Sequence, residues 1–152
     1  MQFYFNFFDQ LTTTQLYQIL QARIDVFVVE QNCPYPECDD KDQLSGHLRL
    51  MDGQHLAAYC RILPPGVSYL EYCSIGRVLT TTPYRAKGIG LQIMQEAIVI
   101  CEKTYECPIK ISAQAYLEKF YQKMGFETIS EPYLEDDIPH ISMLRNQKLL
   151  NY

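Results

Sequence analysis

The sequence is short of what would tie a protein to a polyanion or a bilayer. Its 13 Lys and Arg are outnumbered by 18 Asp and Glu, for a formal net charge of -5. Binding nucleic acid or anionic lipid through bulk charge needs the opposite balance. No apolar run approaches the roughly 18 residues of a membrane helix, and the opening MQFYFNFFDQ holds Asp9 and no base. A cytoplasmic protein is expected, with neither nucleic acid nor membrane as partner. The cysteines at 33, 38, 60, 73, 101 and 107 contain no Cys-x-x-Cys pair, so reduced thiols are expected rather than a disulfide framework. A zinc site from Cys33, Cys38 and a distant His is the alternative. No Gly-x-x-x-x-Gly-Lys-Ser/Thr occurs, and no Gly-x-Gly-x-x-Gly follows a strand, which disfavours a nucleoside triphosphatase or a dinucleotide dehydrogenase. Internal repeats and Gly- or Pro-rich linkers are also missing, and 152 residues suit one domain.

What is present favours folding. The chain is 47% hydrophobic, with 12 Tyr and 7 Phe, enough apolar surface to offset the entropy of ordering. Residues 1–8 suit an opening strand. From Thr12 to Val28, Leu16, Ile19, Leu20, Arg23 and Phe27 recur at helical spacing, and Thr12-x-x-Gln15 resembles a capping box. Gln31 to Ser45, with Glu37, Asp39, Asp40 and Asp42, reads as a long acidic surface loop. His47–Met51, His55–Leu63 and Tyr69–Leu79 read as three consecutive antiparallel strands, the first two joined at the hairpin signal Asp52-Gly53. A helix over 88–104 presents Leu91, Met94, Ile98 and Cys101 on one face. A short buried strand over 109–112, a helix over 116–124 ended by Gly125, and a closing hairpin of 126–129 with 140–144 complete a mixed α/β sheet.

The segment richest in chemistry is Gly76 to Gly90, where a strand feeds a turn and a helix begins at Gly88-Ile89-Gly90. Glycines let successive N–H groups converge, and the first N–H groups of a helix have no internal partner, so such a turn can cradle phosphate. Between Tyr72 and Gln95 there is no acid, while Arg77, Arg85 and Lys87 concentrate positive charge. A glycine-permitted turn with a solvated basic helix start is the plainer reading of the same residues.

This segment resembles the acyl-CoA motif Gln/Arg-x-x-Gly-x-Gly/Ala of the Gcn5-related N-acetyltransferases (GNAT). Gln114 to Phe126 is similar to that family's next motif, a helix ending in Phe-Tyr-x-x-x-Gly-Phe. Residues 26–36, Ile75-Gly76-Arg77-Val78 and Ile138-Pro139-His140-Ile141 resemble the ElaA-like branch, and the likeness spans nearly the whole chain. It implies one N-acetyltransferase domain over 1–152, with a mostly antiparallel twisted sheet flanked by helices. It also implies acetyl-CoA as co-substrate, no metal, and a small-molecule or peptide amine as acceptor. By position, the backbone of Val78, Leu79 and Thr80 would pair with the pantetheine arm, and Arg85, Ala86, Lys87, Gly88, Ile89 and Gly90 would hold the pyrophosphate. The family often has an Asn before the Phe-Tyr helix; here the nearest polar residue is Gln114.

Acyl transfer to a lysine-like amine requires its neutral form, about one part in a thousand near pH 7.4, a cost of about 4 kcal/mol. A base, a desolvating site, a backbone N–H for the oxyanion and a donor for the leaving thiolate each recover part of it. The resemblance makes Tyr121 the donor. His140, Glu71, His47 and Glu30 are the candidate bases, each with a plain structural or solvated alternative. The acidic stretches 37–42 and 131–137 could draw in a cationic amine or simply confer solubility. A catalytically silent acyl-CoA sensor is the rival of different class, and exposed strand edges are compatible with a homodimer.

Overall fold

A computed structural model describes residues 1–147. β1 (Gln2–Phe7) leads into α1 (Thr13–Arg23), which runs on as a wider π-helical segment, Ile24–Glu30. The capping box forms as read: Thr12 Oγ1 accepts from the Gln15 N–H at 3.1 Å, and Gln15 Oε1 accepts from the Thr12 N–H at 3.0 Å. β2 (Gly46–Asp52), β3 (His55–Leu63) and β4 (Ser74–Thr80) follow, then α2 (Ile89–Tyr105), β5 (Ile109–Gln114), α3 (Glu118–Gln122), β6 (Glu127–Thr128), β7 (Tyr133–Glu135) and β8 (Ile138–Arg145). Among the described residues no helix is long and apolar enough to cross a membrane.

The strands form two sheets rather than one. β1-β2-β3-β4 is antiparallel throughout; β5, β6 and β7 all pair antiparallel with β8. The sheets meet at a parallel bridge between Cys73 and Ile109, where the Lys110 N–H donates to the Cys73 carbonyl at 3.0 Å. α2 covers one face of the first sheet, packing Ile93, Met94, Ala97 and Cys101 against Leu48, Leu50, Cys60 and Ile62. α1 and the π-helical segment cover the other face, around Ile19, Met51, Leu56, Tyr59 and Leu79. Strand alternation makes this sorting possible, because neighbours in β2 and β3 point to opposite helices.

Several sequence expectations need correction. Leu91, placed on the apolar face of α2, is exposed; Ile93 and Ala97 take that face, which is rotated from the one the sparser pattern suggested. The third strand begins at Ser74, not Tyr69. The hairpin register pairs Asp52 with His55, so Gly53 and Gln54 make the turn. β6 pairs with β8, but the hairpin proper joins β7 to β8 through Asp136 and Asp137. The acidic loop 31–45 is not simply a surface loop: Glu37 and Asp42 are buried, because each meets arginines that the core itself supplies.

Candidate active site

Two unpaired strand edges frame the site. β4 ends the first sheet and β5 ends the second, and past the Cys73 bridge they diverge over a cleft of about 740 Å³. Residues 74–80 line one wall and residues 111–114 the other. Each edge keeps backbone donors and acceptors outside the ladders, so an extended ligand can pair with Val78, Leu79 and Thr80 as a strand would.

A β-bulge shapes the middle of β4. Tyr59 pairs with Leu79 and Arg61 with Gly76, leaving Arg77 and Val78 together opposite Cys60. Arg77 sits at φ 51°, a left-handed conformation unusual for a side-chain-bearing residue. Its guanidinium holds it there: Nε donates to Glu37 Oε1 at 2.9 Å, Nη2 lies 3.5 Å from Asp39, and the group covers the ring of Tyr35. Arg77 therefore serves the loop 31–45 rather than the glycine turn.

That loop is fastened by four more ion pairs. Arg23, fully buried, donates to Glu37 at 2.6 Å and to Asp42 at 2.7 Å. Arg61 forks onto Asp39 at 2.8 Å for each oxygen and reaches Asp42 at 2.9 Å. Burial pushes the carboxyls of Asp39 and Asp42 up, but the hydrogen bonds and charges of Arg61 and Arg23 outweigh it and hold both below the usual range. Glu37, Asp39 and Asp42 are thus matched by arginines, which leaves Asp40 as the exposed carboxylate of this stretch.

The glycine turn lies just past Arg85, which lines the cleft. Ala86 and Gly88 adopt positive φ, 61° and 73°. Gly88 caps α2 without any side-chain hydrogen bond, and the first turn contains no acid, leaving N–H groups at the positive end of a 17-residue helix. A Cβ on Gly90 would approach Thr80 Oγ1 and Phe120 at 3.8 and 3.9 Å, ordinary contacts. Packing therefore does not demand glycine at 90; a ligand brought against the backbone would. The turn suits a diphosphate. Ile89 buries its side chain in the core and can offer only its N–H, while Lys87 lies over the ring of Tyr84. The Arg85 guanidinium is engaged elsewhere, by Glu30 at 2.5 and 2.7 Å and by the Thr80 carbonyl at 3.0 Å. Positive charge is thus less concentrated at the turn than the sequence suggested.

Tyr121 lines the cleft and is 7% exposed, edge-on to Phe120 and Phe126. Its hydroxyl has no hydrogen-bond partner among the described residues and is not one of the enclosed, unpaired atoms, so it opens to the cleft. Burial first, then Cys60 and Tyr116, push the phenol up to about 12. It stays a proton donor across the physiological range.

His140 also lines the cleft and is 8% exposed. Its Nδ1 donates to the Ile138 carbonyl at 2.7 Å, Nε2 lies 3.2 Å from Glu135 Oε2, and Tyr133 stacks on the ring. Glu135 reaches Ser112 at 3.4 Å. Sequence reading placed Glu135 in an acidic connection and missed its pairing with His140, because the hairpin that turns at Asp136 and Asp137 and brings the two together was not expected there.

Two proposed bases leave the site. Glu71 is exposed and outside the cleft lining, because β4 begins only at Ser74, beyond it, and not at Tyr69. His47 is fully buried; its Nε2 donates to the Asp42 carbonyl at 3.0 Å and Nδ1 accepts from the Tyr59 hydroxyl at 2.8 Å. Burial lowers its affinity for a proton, and no amine can reach it. Gln114 lines the cleft with its amide 3.4 Å from Gln31. Cys33 Sγ faces the Asp136 carbonyl and Cys38 is exposed. Among the described residues no group of three or more His, Cys, Asp or Glu could hold a metal.

The family model of an acetyltransferase (GNAT) domain matches residues 66–146. Over 141 residues the chain is 42% identical to Protein ElaA of Escherichia coli, spanning 90% of this chain and 91% of that protein. The fold superposes on the crystal structure of an acyl-CoA N-acyltransferase from Pseudomonas aeruginosa with a TM-score of 0.90 at 41% identity, covering 95% of this chain and 98% of the other. For the crystal structure of Escherichia coli ElaA the TM-score is 0.89 at 38% identity, with 95% and 99% covered.

Proposed function

The chain belongs to the GNAT acetyltransferase family as a homologue of ElaA, and on that premise we propose that it moves an acetyl group from acetyl-CoA to a primary amine by direct attack. The observation that carries this reading is the divergence of β4 from β5, which leaves a strand edge exposed along a cleft with a helix N-terminus beyond one end. A thioester carrier with an amide-bearing arm and a diphosphate has the complementary groups in the same order.

The neutral amine attacks the thioester carbonyl, a C–N bond forms, and the oxyanion is met by a backbone N–H that the bulge at Arg77 and Val78 holds outside the ladder. The C–S bond then breaks, and the thiolate takes the proton of the Tyr121 hydroxyl. The proton shed by the amine passes to His140 Nε2 or the Glu135 carboxylate, directly or through water. Asp136, beside Glu135 in the cleft lining, supports an acceptor that arrives as a cation.

A thiol-release assay with acetyl-CoA over small amines, polyamines and peptide N-termini tests the proposal. Turnover with at least one class is expected, falling about a hundredfold or more in Tyr121→Phe. Acyl-CoA binding with no thiol release from any amine would instead identify a sensor.

A further inference from the structure

A second groove, of about 950 Å³, lies between α1 and strands β1 and β2, away from the cleft. Hydroxyls and amides of Thr13, Thr14, Tyr17, Gln18 and Gln21 form much of its wall. In a chain of net charge -5, not one of its lining residues is acidic. Its single charged lining residue is Arg49, 4% exposed.

Arg49 is unlike the other buried arginines. Arg23, Arg61 and Arg145 each meet a carboxylate, on Glu37 and Asp42, on Asp39 and Asp42, and on Glu102. Arg49 meets none among the described residues. Its Nη2 donates to Asn6 Oδ1 at 2.9 Å and its guanidinium lies 5.5 Å from the centre of the Tyr4 ring. Its Nε, like that of Arg61, is enclosed with no acceptor. Burial makes the charge harder to keep, and a buried cation without a counter-charge is a standing cost to the fold.

A second positive feature points the same way. Thr13 and Thr14, the first two residues of the 11-residue α1, also line the groove, and the first turn contains no acid. Thr12 satisfies the N–H of Gln15, which leaves the N–H groups of the two preceding residues for another acceptor.

We propose that this groove binds a carboxylate, with Arg49 and the first turn of α1 supplying the counter-charge. The planar fork of one guanidinium matches a single carboxylate group, which carries one charge; a phosphate gathers two charges on one tetrahedral group and would call for more donors. The carboxylate can belong to a small dicarboxylic acid or to the C-terminus of a peptide, and the experiment separates these sources.

The full chain, labelled with 15N, is titrated with succinate, with an uncharged-side-chain hexapeptide bearing a free C-terminal carboxylate, and with its C-terminal amide. Saturable shifts of the Thr13 and Thr14 amides and of the Arg49 Nε–H are expected with succinate or the free-acid peptide, but not with the amide. Response to succinate alone assigns a small acid; response to the peptide acid assigns a chain terminus. Arg49→Met abolishes the shifts while leaving the unfolding midpoint no lower and thiol release unchanged. Arg49→Lys, which keeps the charge without the planar fork, raises Kd at least about tenfold. No saturable shift with either carboxylate, or equal shifts in Arg49→Met or Arg49→Lys, would overturn the proposal.

Discussion

Arg85 spans the cleft to Glu30 while its Nε holds the Thr80 carbonyl, so one side chain ties the end of the π-helical segment to the strand edge beside the glycine turn. Both partners are well exposed, and an exposed pair contributes at most about 1 kcal/mol. Under the proposed function the pair would compete with the diphosphate for Arg85, and it does not anchor the fold. Glu30→Gln is expected to lower KM for acetyl-CoA severalfold, leave kcat nearly unchanged, and shift stability by less than about 1 kcal/mol. Steady-state kinetics with denaturant unfolding checks this; a raised KM would show that Glu30 presents Arg85 rather than withholds it.

Gly90 separates ligand constraint from fold constraint. Since a Cβ there meets only ordinary contacts, Gly90→Ala is expected to unfold no more easily than the parent, with a gain of up to about 1 kcal/mol from helix propensity. Its affinity for acyl-CoA is expected to fall about tenfold or more, a loss of about 1.4 kcal/mol. Calorimetric binding and thermal unfolding on the same sample would show whether the two effects part.

Arg23 lies at the centre of the buried network. Replacing it with Met leaves Glu37 and Asp42 buried with one cation fewer, a loss of about 3–5 kcal/mol. Urea unfolding should show the midpoint falling with little change in slope. Because the loop 31–45 also borders the cleft through Tyr35 and Asp39, acyl transfer should fall with it.

Stability should fall at both ends of the pH scale, for opposite reasons. The carboxyls of Asp39 and Asp42 are depressed in the fold, so the unfolded chain takes up their protons first. Their contribution is complete above the unfolded value of about 3.9 and is lost as pH falls through the folded values. The Tyr121 phenol, raised to about 12, contributes in full below its unfolded value of about 10 and loses that contribution as pH rises through the folded value. Denaturant midpoints measured across pH should trace both limbs, and Tyr121→Phe should flatten part of the alkaline one.

Patterns confined to a short window were legible. The Thr12 capping box, the short apolar runs of β2 and β3, Gly88 at the start of α2 and Gly125 after α3 each need only neighbouring residues to act. The likeness to the GNAT motifs rests on the same kind of local pattern, which is why the strand edge at 78–80 and the phenol at 121 fall on the cleft.

The amino-acid order by itself therefore determined the elements, their caps, and the segment able to receive an anion at a helix start. Only the tertiary structure decided which charged and titratable groups serve it. His47 withdrew into the core with Tyr59, Glu71 stayed outside, and Glu37, Asp39 and Asp42 were neutralised by arginines 14 to 40 residues away. Backbone propensity and periodicity act between neighbours in the chain, whereas the fate of a charge depends on burial and on partners that arrive only when distant segments pack.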